Sequence, residues 1–237
     1  MSVGIFLSGS GARITFHAGV MDALRELGVT VDQFLGASGG GIHSVLTVCG
    51  CRGDLWFDDR IPICKNNSII RPPTLKESLS FILKPDFLTQ YGGKLNLAII
   101  NQKVKILSTQ KFFKAIVFNA FASIEDLKIK LLASSSLPFF TTFPVKIENR
   151  RYADGFFGYF YRKLDFAKLI NTDLRIASLA LPTNHKVKNN SDSTFIYVIK
   201  EGKYNPVNIM HVSYDKAKRF YEDGYEQVMK SRIKDYL

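Results

Sequence analysis

Apolar positions follow two rhythms along this chain. Val3–Leu7 is a short, unbroken apolar run, as expected of a strand buried on both faces. Ser8-Gly9-Ser10-Gly11 breaks it. Over residues 15–27, Phe16, Val20, Ala23, Leu24 and Leu27 then fall on one face of a helix that Gly28 closes as a C-cap. Phe34-Leu35 lead into a second tight turn, Gly36-Ala37-Ser38-Gly39-Gly40, with helical character over 41–48. Strand-like runs return at 104–108 and 115–118. Ser123 with Asp126 three residues on has the pattern of a capping box and predicts a helix through Ala133. Val145–Ile147 and residues 151–153 read as a hairpin that Asp154-Gly155 ends. Residues 174–181 and 194–199 are two further buried strands, and 213 to about 234 predicts one long amphipathic helix. Strands alternating with helices predict an α/β, three-layer fold.

The stretch 52–93 fits neither rhythm. Pro62, Pro72, Pro73, Pro85 and Gly92-Gly93 punctuate it, and it mixes the bases Lys65, Arg71, Lys76 and Lys84 with Trp56, Leu79, Phe81, Phe87 and Leu88. Such an insert suits a cap or an interfacial surface; helices packed on the core are the other reading. With no internal repeat and no low-complexity linker, residues 1–237 read as a single domain.

Composition narrows the class. Of 237 residues, 46% are hydrophobic and mean hydropathy is +0.01, enough for one sizeable core and too much for a disordered chain. The net charge of +11 excludes an acidic tail protein. Residues 1–60 carry four arginines and six acids, net −2, which leaves +13 for the rest. That excess favours anionic partners (phospholipid head groups, nucleic acid or acidic protein), with plain solubility as the bland alternative.

Cys49, Cys51 and Cys64 are an odd set without a second Cys/His pair at zinc spacing. They predict buried free thiols in a reducing compartment, with neither a disulfide framework nor a metal site. The first residues lack a basic region, Ser2 excludes N-myristoylation, and no stretch approaches the roughly 18 apolar residues of a membrane span. The expectation is a cytoplasmic chain whose membrane contact is peripheral.

Gly36-Ala37-Ser38-Gly39-Gly40 fits G-x-S-x-G. In that pattern a serine sits on a strained strand-to-helix turn, flanking glycines avoid clashes, and the hydroxyl projects outward. The following helix sets its positive pole beneath a developing negative charge. A small-residue turn without catalysis would carry the same letters. Serine also needs a base, and four histidines are candidates for a triad. His17 lies mid-helix, where packing or capping is its expected duty. His43 is five residues past Ser38 on the same helix, too local to fold back. His185 and His211 fall in the C-terminal third.

The loop Gly9-Ser10-Gly11-Ala12-Arg13, between strand and helix, gathers N–H groups able to hold an anion. Residues 9–14 match G-x-G-x-x-G except for Ile14, and Asp32 stands near the acidic position of a dinucleotide fingerprint but in a turn, so that reading is weak. An oxyanion hole uses the same geometry.

Taken in order, these motifs resemble the patatin-like phospholipases. The resemblance runs through residues 7–13, His17-Ala18-Gly19-Val20, residues 23–28 and residues 36–40. It continues in Ala133-Ser134-Ser135-Ser136-Leu137-Pro138-Phe139-Phe140, Phe143-Pro144-Val145, Tyr152-Ala153-Asp154-Gly155 and Glu222-Asp223-Gly224-Tyr225. It covers most of the chain and is weak between about 52 and 103.

It implies a mostly parallel central sheet flanked by helices, and a Ser-Asp dyad with Ser38 as nucleophile and Asp154 as base. It implies an oxyanion hole from the amides of the 9–13 loop, centred on Ser10 and Gly11, and no metal or cofactor. Gly36, Gly39 and Gly40 would shape the elbow, and Gly155 would let the chain turn after Asp154. Loss of solvation near Tyr152, Phe156 and Phe157 would raise the basicity of Asp154. Arg13 would hold a phosphate, steer the loop, or serve structure alone.

Ser10, Ile14 and Phe156 depart from the family pattern. Ser10 keeps its N–H if its φ is allowed, and Phe156 stands where the family has a small residue. The implied activity is hydrolysis of glycerophospholipid acyl esters at an anionic membrane surface, which Phe139, Phe140 and Phe143 would favour. The alternatives are a catalytically weak or inactive lipid- or partner-binding protein of the same fold, and a nucleic-acid binder. No nucleic-acid motif accompanies the dispersed bases.

Overall fold

The computed structural model describes residues 1–65, 72–111, 114–137, 144–161, 166–180, 195–199 and 211–236. The chain opens with β1 (Val3–Leu7), a 3-10 turn (Gly11–Arg13), α1 (Ile14–Glu26), β2 (Gln33–Ala37) and α2 (Gly39–Val48). Two 3-10 turns (Gly53–Phe57, Pro62–Cys64) precede α3 (Pro72–Ile82), α4 (Pro85–Gln90) and α5 (Leu97–Lys103). Then come β3 (Val104–Gln110), β4 (Lys114–Phe118), α6 (Ile124–Ser134), β5 (Val145–Ile147), β6 (Arg150–Asp154), α7 (Gly155–Tyr161) and α8 (Phe166–Leu169). The chain ends with β7 (Leu174–Leu179), β8 (Phe195–Ile199), α9 (Tyr214–Lys230) and a 3-10 turn (Arg232–Tyr236).

The sheet runs β5-β6-β3-β2-β1-β7-β8, and β4 also pairs with β3. Neighbours from β3 through β2, β1 and β7 to β8 are parallel, whereas β4 and β6 pair with β3 antiparallel. All five residues of β1 are buried, as a central parallel strand requires. Alternation sends Ile5 and Leu7 to one face, with Phe16, Val20 and Leu24 of α1 in the same cluster. Phe6 faces the other way, with Leu35, Leu107 and Ala177. The fold is therefore three-layered, with helices flanking a mostly parallel sheet.

One detail of the register positions the site. A strand has two edges, and β4 occupies one edge of β3 from Ile106 to Gln110. On the other edge β2 pairs only as far as Ala37↔Leu107, and β6 takes over with Asp154↔Ser108 and Ala153↔Thr109. β2 and β6 thus meet head to head, so Ser38, the residue after Ala37, comes level with Asp154.

Among the described residues of the 52–93 stretch, Trp56, Leu79, Phe87 and Leu88 are buried in the same cluster as β1 and α1, and Phe81 packs against it. These side chains fit the reading of elements packed on the core. The helix predicted over 213–234 breaks at Ser231, whose backbone is extended and whose hydroxyl donates to the Val228 carbonyl at 2.7 Å. Against α1, α9 packs at backbone contact. A β-carbon at Gly224 would collide with the Phe16 carbonyl, and Tyr221 and Tyr225 donate to Asp22 (2.9 Å) and Glu26 (2.5 Å) of α1.

Candidate active site

Ser38 caps α2 with φ 53° and ψ −128°, a conformation that L-residues rarely adopt and that costs about 1–3 kcal/mol. Its surroundings hold it there. The Ser38 N–H donates to Ser134 Oγ at 2.9 Å, and the Ser134 hydroxyl donates to the Leu107 carbonyl at 2.6 Å. The Ser134 side chain thus bridges β3 and the elbow at the point where β2 leaves the ladder. The glycines around Ser38 permit close approach. A β-carbon on Gly40 would strike the Leu7 carbonyl and sit 2.5 Å from that of Ser8, and one on Gly36 would lie 2.5 Å from the Gly41 Cα.

Asp154 ends β6, 3% exposed, and Ser38 is 9% exposed. The Ser38 hydroxyl lies close enough to the Asp154 carboxylate to favour its charged form, and the Phe156 N–H donates to Asp154 Oδ1 at 2.8 Å. Burial outweighs both influences and raises the carboxyl from its ordinary value to about 7. Phe156, whose size departs from the family pattern, thus serves Asp154 through its backbone. Gly155 has no positive φ; its β-carbon would run into the Leu107 carbonyl. It is small because β3 passes close by, and not because the chain needs a glycine-only turn.

The 9–13 loop lies beside the elbow, since a β-carbon on Gly39 would collide with Ser10 Oγ and come 3.7 Å from the Gly11 nitrogen. Ser10 has φ −134°, open to any L-residue, and Gly11 takes the positive φ of 53°. The serine therefore keeps its N–H without strain. Ala12 is buried and packs with Val212 and Leu137. Arg13 is buried, donates to the Ala180 carbonyl at 3.5 Å and lies over the Phe220 ring at 5.3 Å. Those contacts tie the loop to β7 and α9.

His17 has a duty that sequence spacing did not reveal. It is fully buried, with Nε2 2.9 Å from the Ser8 carbonyl and Nδ1 2.8 Å from Ser178 Oγ. Burial lowers its pKa to about 4, so the ring is neutral and the carbonyl assigns the proton to Nε2. Nδ1 then accepts from Ser178. A trans peptide points C=O and N–H in opposite directions, so the grip on the Ser8 carbonyl fixes which way the Gly9 N–H faces. His17→Leu leaves two buried polar groups unpaired and should lose about 1–3 kcal/mol of stability in thermal unfolding. His17→Gln, which can still donate to Ser8, should lose less.

His43 accepts from Trp56 Nε1 at 2.9 Å and is held neutral by burial, its pKa lowered to about 3. His211 is half-buried, beside Val212, and its Nδ1 has no partner among the described residues. His185, Phe139, Phe140 and Phe143 lie outside the described residues. Cys49 and Cys51 are buried free thiols, pushed up by burial to about 12 and about 11, and Cys64 is also free and raised. Among the described residues no group of three or more His, Cys, Asp or Glu could hold a metal ion, and no helix is long and apolar enough to cross a membrane.

Comparison with known proteins matches this arrangement to a family model, patatin-like phospholipase, over residues 5–160. No curated protein matches the sequence. Among solved structures, VipD from Legionella pneumophila is similar with a TM-score of 0.56 at 12% identity, over 99% of this chain and 67% of VipD. The type III effector ExoU has a TM-score of 0.49 at 12% identity, over 96% of this chain and 52% of its own. ExoU of Pseudomonas aeruginosa in complex with SpcU gives 0.42 at 16% identity, over 97% and 52%. The chain thus spans about half of ExoU. At these identities the likeness to VipD speaks for the fold alone. The family match covers well over half of the chain and takes in the Gly-rich loop, the elbow and Asp154-Gly155, so this chain belongs to the patatin-like phospholipases, a family of lipid hydrolases.

Proposed function

We propose that this chain is a serine acyl hydrolase that cleaves fatty-acyl esters of glycerophospholipids through an acyl-enzyme. The observation that carries the reading is the register that sets Ser38, on its strained turn, level with Asp154, a buried carboxyl whose pKa of about 7 suits a base at neutral pH. Ser38 Oγ attacks the ester carbonyl while Asp154 takes its proton. The oxyanion forms against the amides of the 9–13 loop and the positive end of α2, where a single donor is worth about 2.7–4 kcal/mol. Protonated Asp154 returns its proton to the departing glycerol oxygen. Water, deprotonated by Asp154, then attacks the acyl-Ser38 carbonyl, and Asp154 passes that proton to the departing Ser38 Oγ as the fatty acid is freed.

An active-site probe tests the nucleophile directly. A fluorophosphonate should label the wild-type protein at Ser38 at pH 8, leave Ser38→Ala unlabelled, and label more slowly as pH falls through 7. A folded wild-type protein that resists the probe would speak for a lipid- or partner-binding protein without turnover.

A further inference from the structure

The β5–β6 hairpin has a feature the catalytic reading does not use. Its register sets Lys146 directly opposite Arg151, and Arg150 stands next to it. All three are exposed, and none makes an ion pair among the described residues. Like charges directly across an antiparallel pair destabilise it. The segment 145–151 carries three cations against one acid, the exposed Glu148 of the turn, where φ is 53°. The hairpin concentrates positive charge where pairing alone would disfavour it.

The topology gives that charge a place. Asp154 and Ala153 pair with Ser108 and Thr109, and β3 ends at Gln110. Because β6 is antiparallel, the residues before Tyr152 project past the carboxyl edge of β3. The Gly-rich loop leaves β1 and Ser38 leaves β2 at that same edge. Arg151 stands three residues, or about 10 Å of strand, from Asp154.

We infer that this hairpin is a docking prong that seats the protein on an anionic phospholipid surface with the Ser38–Asp154 mouth facing the bilayer. The inference rests on the lipid-hydrolase reading above, because a site whose substrate lies in the bilayer needs its opening held against the head groups. Cations flanking that opening supply the attraction, at short range set by the Debye length. An exposed prong carrying cations at the substrate's own interface favours a membrane over an extended polyanion.

The test uses the full chain with Ser38→Ala, so that binding is read without turnover. Sedimentation with phosphatidylcholine vesicles containing 30 mol% phosphatidylserine is compared with pure phosphatidylcholine, at 50 and 500 mM NaCl. Lys146→Gln/Arg150→Gln/Arg151→Gln in the same background should bind the anionic vesicles roughly 100-fold more weakly, and salt should weaken the parent strongly. Equal binding by parent and triple variant, or salt-indifferent binding by the parent, overturns the proposal. So does tighter, hairpin-dependent binding to duplex DNA or to an acidic polypeptide. The wild-type rate on a soluble short-chain ester keeps the two readings apart: if that rate is absent the hydrolase reading fails, whereas loss of hairpin dependence with the rate present refutes docking alone.

Discussion

Replacing Asp154 with asparagine should give an enzyme that is at once far slower and more stable. The rate follows from losing the base: proton transfer by a positioned group contributes about 10²–10⁴-fold, and Asp154 serves both acylation and deacylation, so a loss near the top of that range is expected. The stability gain follows from burial. The folded carboxyl has a pKa of about 7, and an unfolded aspartate about 3.9. Between these values the folded state binds more protons than the unfolded one, so the wild-type protein loses stability as pH rises from about 4 to about 7.

Asparagine carries no charge to desolvate, and its carbonyl can still accept from the Phe156 N–H. At pH 8 the substitution should gain up to about 4 kcal/mol, or roughly 8–16 °C in Tm. At pH 4 the two proteins should nearly coincide. Thermal unfolding across that pH range is the check, and a difference independent of pH would mean that Asp154 is not the buried, raised acid described here.

The Ser38→Ala protein should lose more activity. Removing the nucleophile of a serine hydrolase costs on the order of 10⁶-fold in kcat in the best-measured case, so hydrolysis should fall to background. The fold should survive. Alanine at φ 53° is no more strained than serine, and the N–H that binds Ser134 remains. The substitution also removes the hydroxyl that favours the charged form of Asp154. The pH window over which stability falls should therefore move above 7, visible in the same unfolding series. An alanine protein that still turned over lipid would place the nucleophile elsewhere.

Much of this site is legible in the order of residues along the chain. The elbow is readable because G-x-S-x-G stands between an apolar run and a helix, and α6 because Ser123 caps it: its hydroxyl accepts from the Asp126 N–H at 3.1 Å. Asp154 is readable only through the succession of motifs, since an isolated Asp-Gly carries no such information. Other features depend on contacts between distant segments. Ser38 and Asp154 meet because β2 stops where β6 begins along one edge of β3, and no local pattern records which strands share an edge. Ser134 lies within a recognisable motif, yet its work depends on Leu107 and Ser38 converging on one hydroxyl. His17 invites a packing reading, and only its contacts with Ser8 and Ser178 reveal the hold on the loop. In the 52–93 stretch prolines break the periodicity, while Trp56, Leu79, Phe87 and Leu88 still reach the core.

The most direct test of the account is fatty-acid release from mixed phosphatidylcholine–phosphatidylserine vesicles as a function of pH, for the wild-type, Ser38→Ala and Asp154→Asn proteins. The base works ionised, so wild-type kcat/KM should climb about tenfold per pH unit up to about 7 and then level. Ser38→Ala should release no fatty acid above background and Asp154→Asn should be slower by about 10⁴-fold, while both remain folded. Release that persists undiminished in Asp154→Asn with the same pH profile would contradict the dyad.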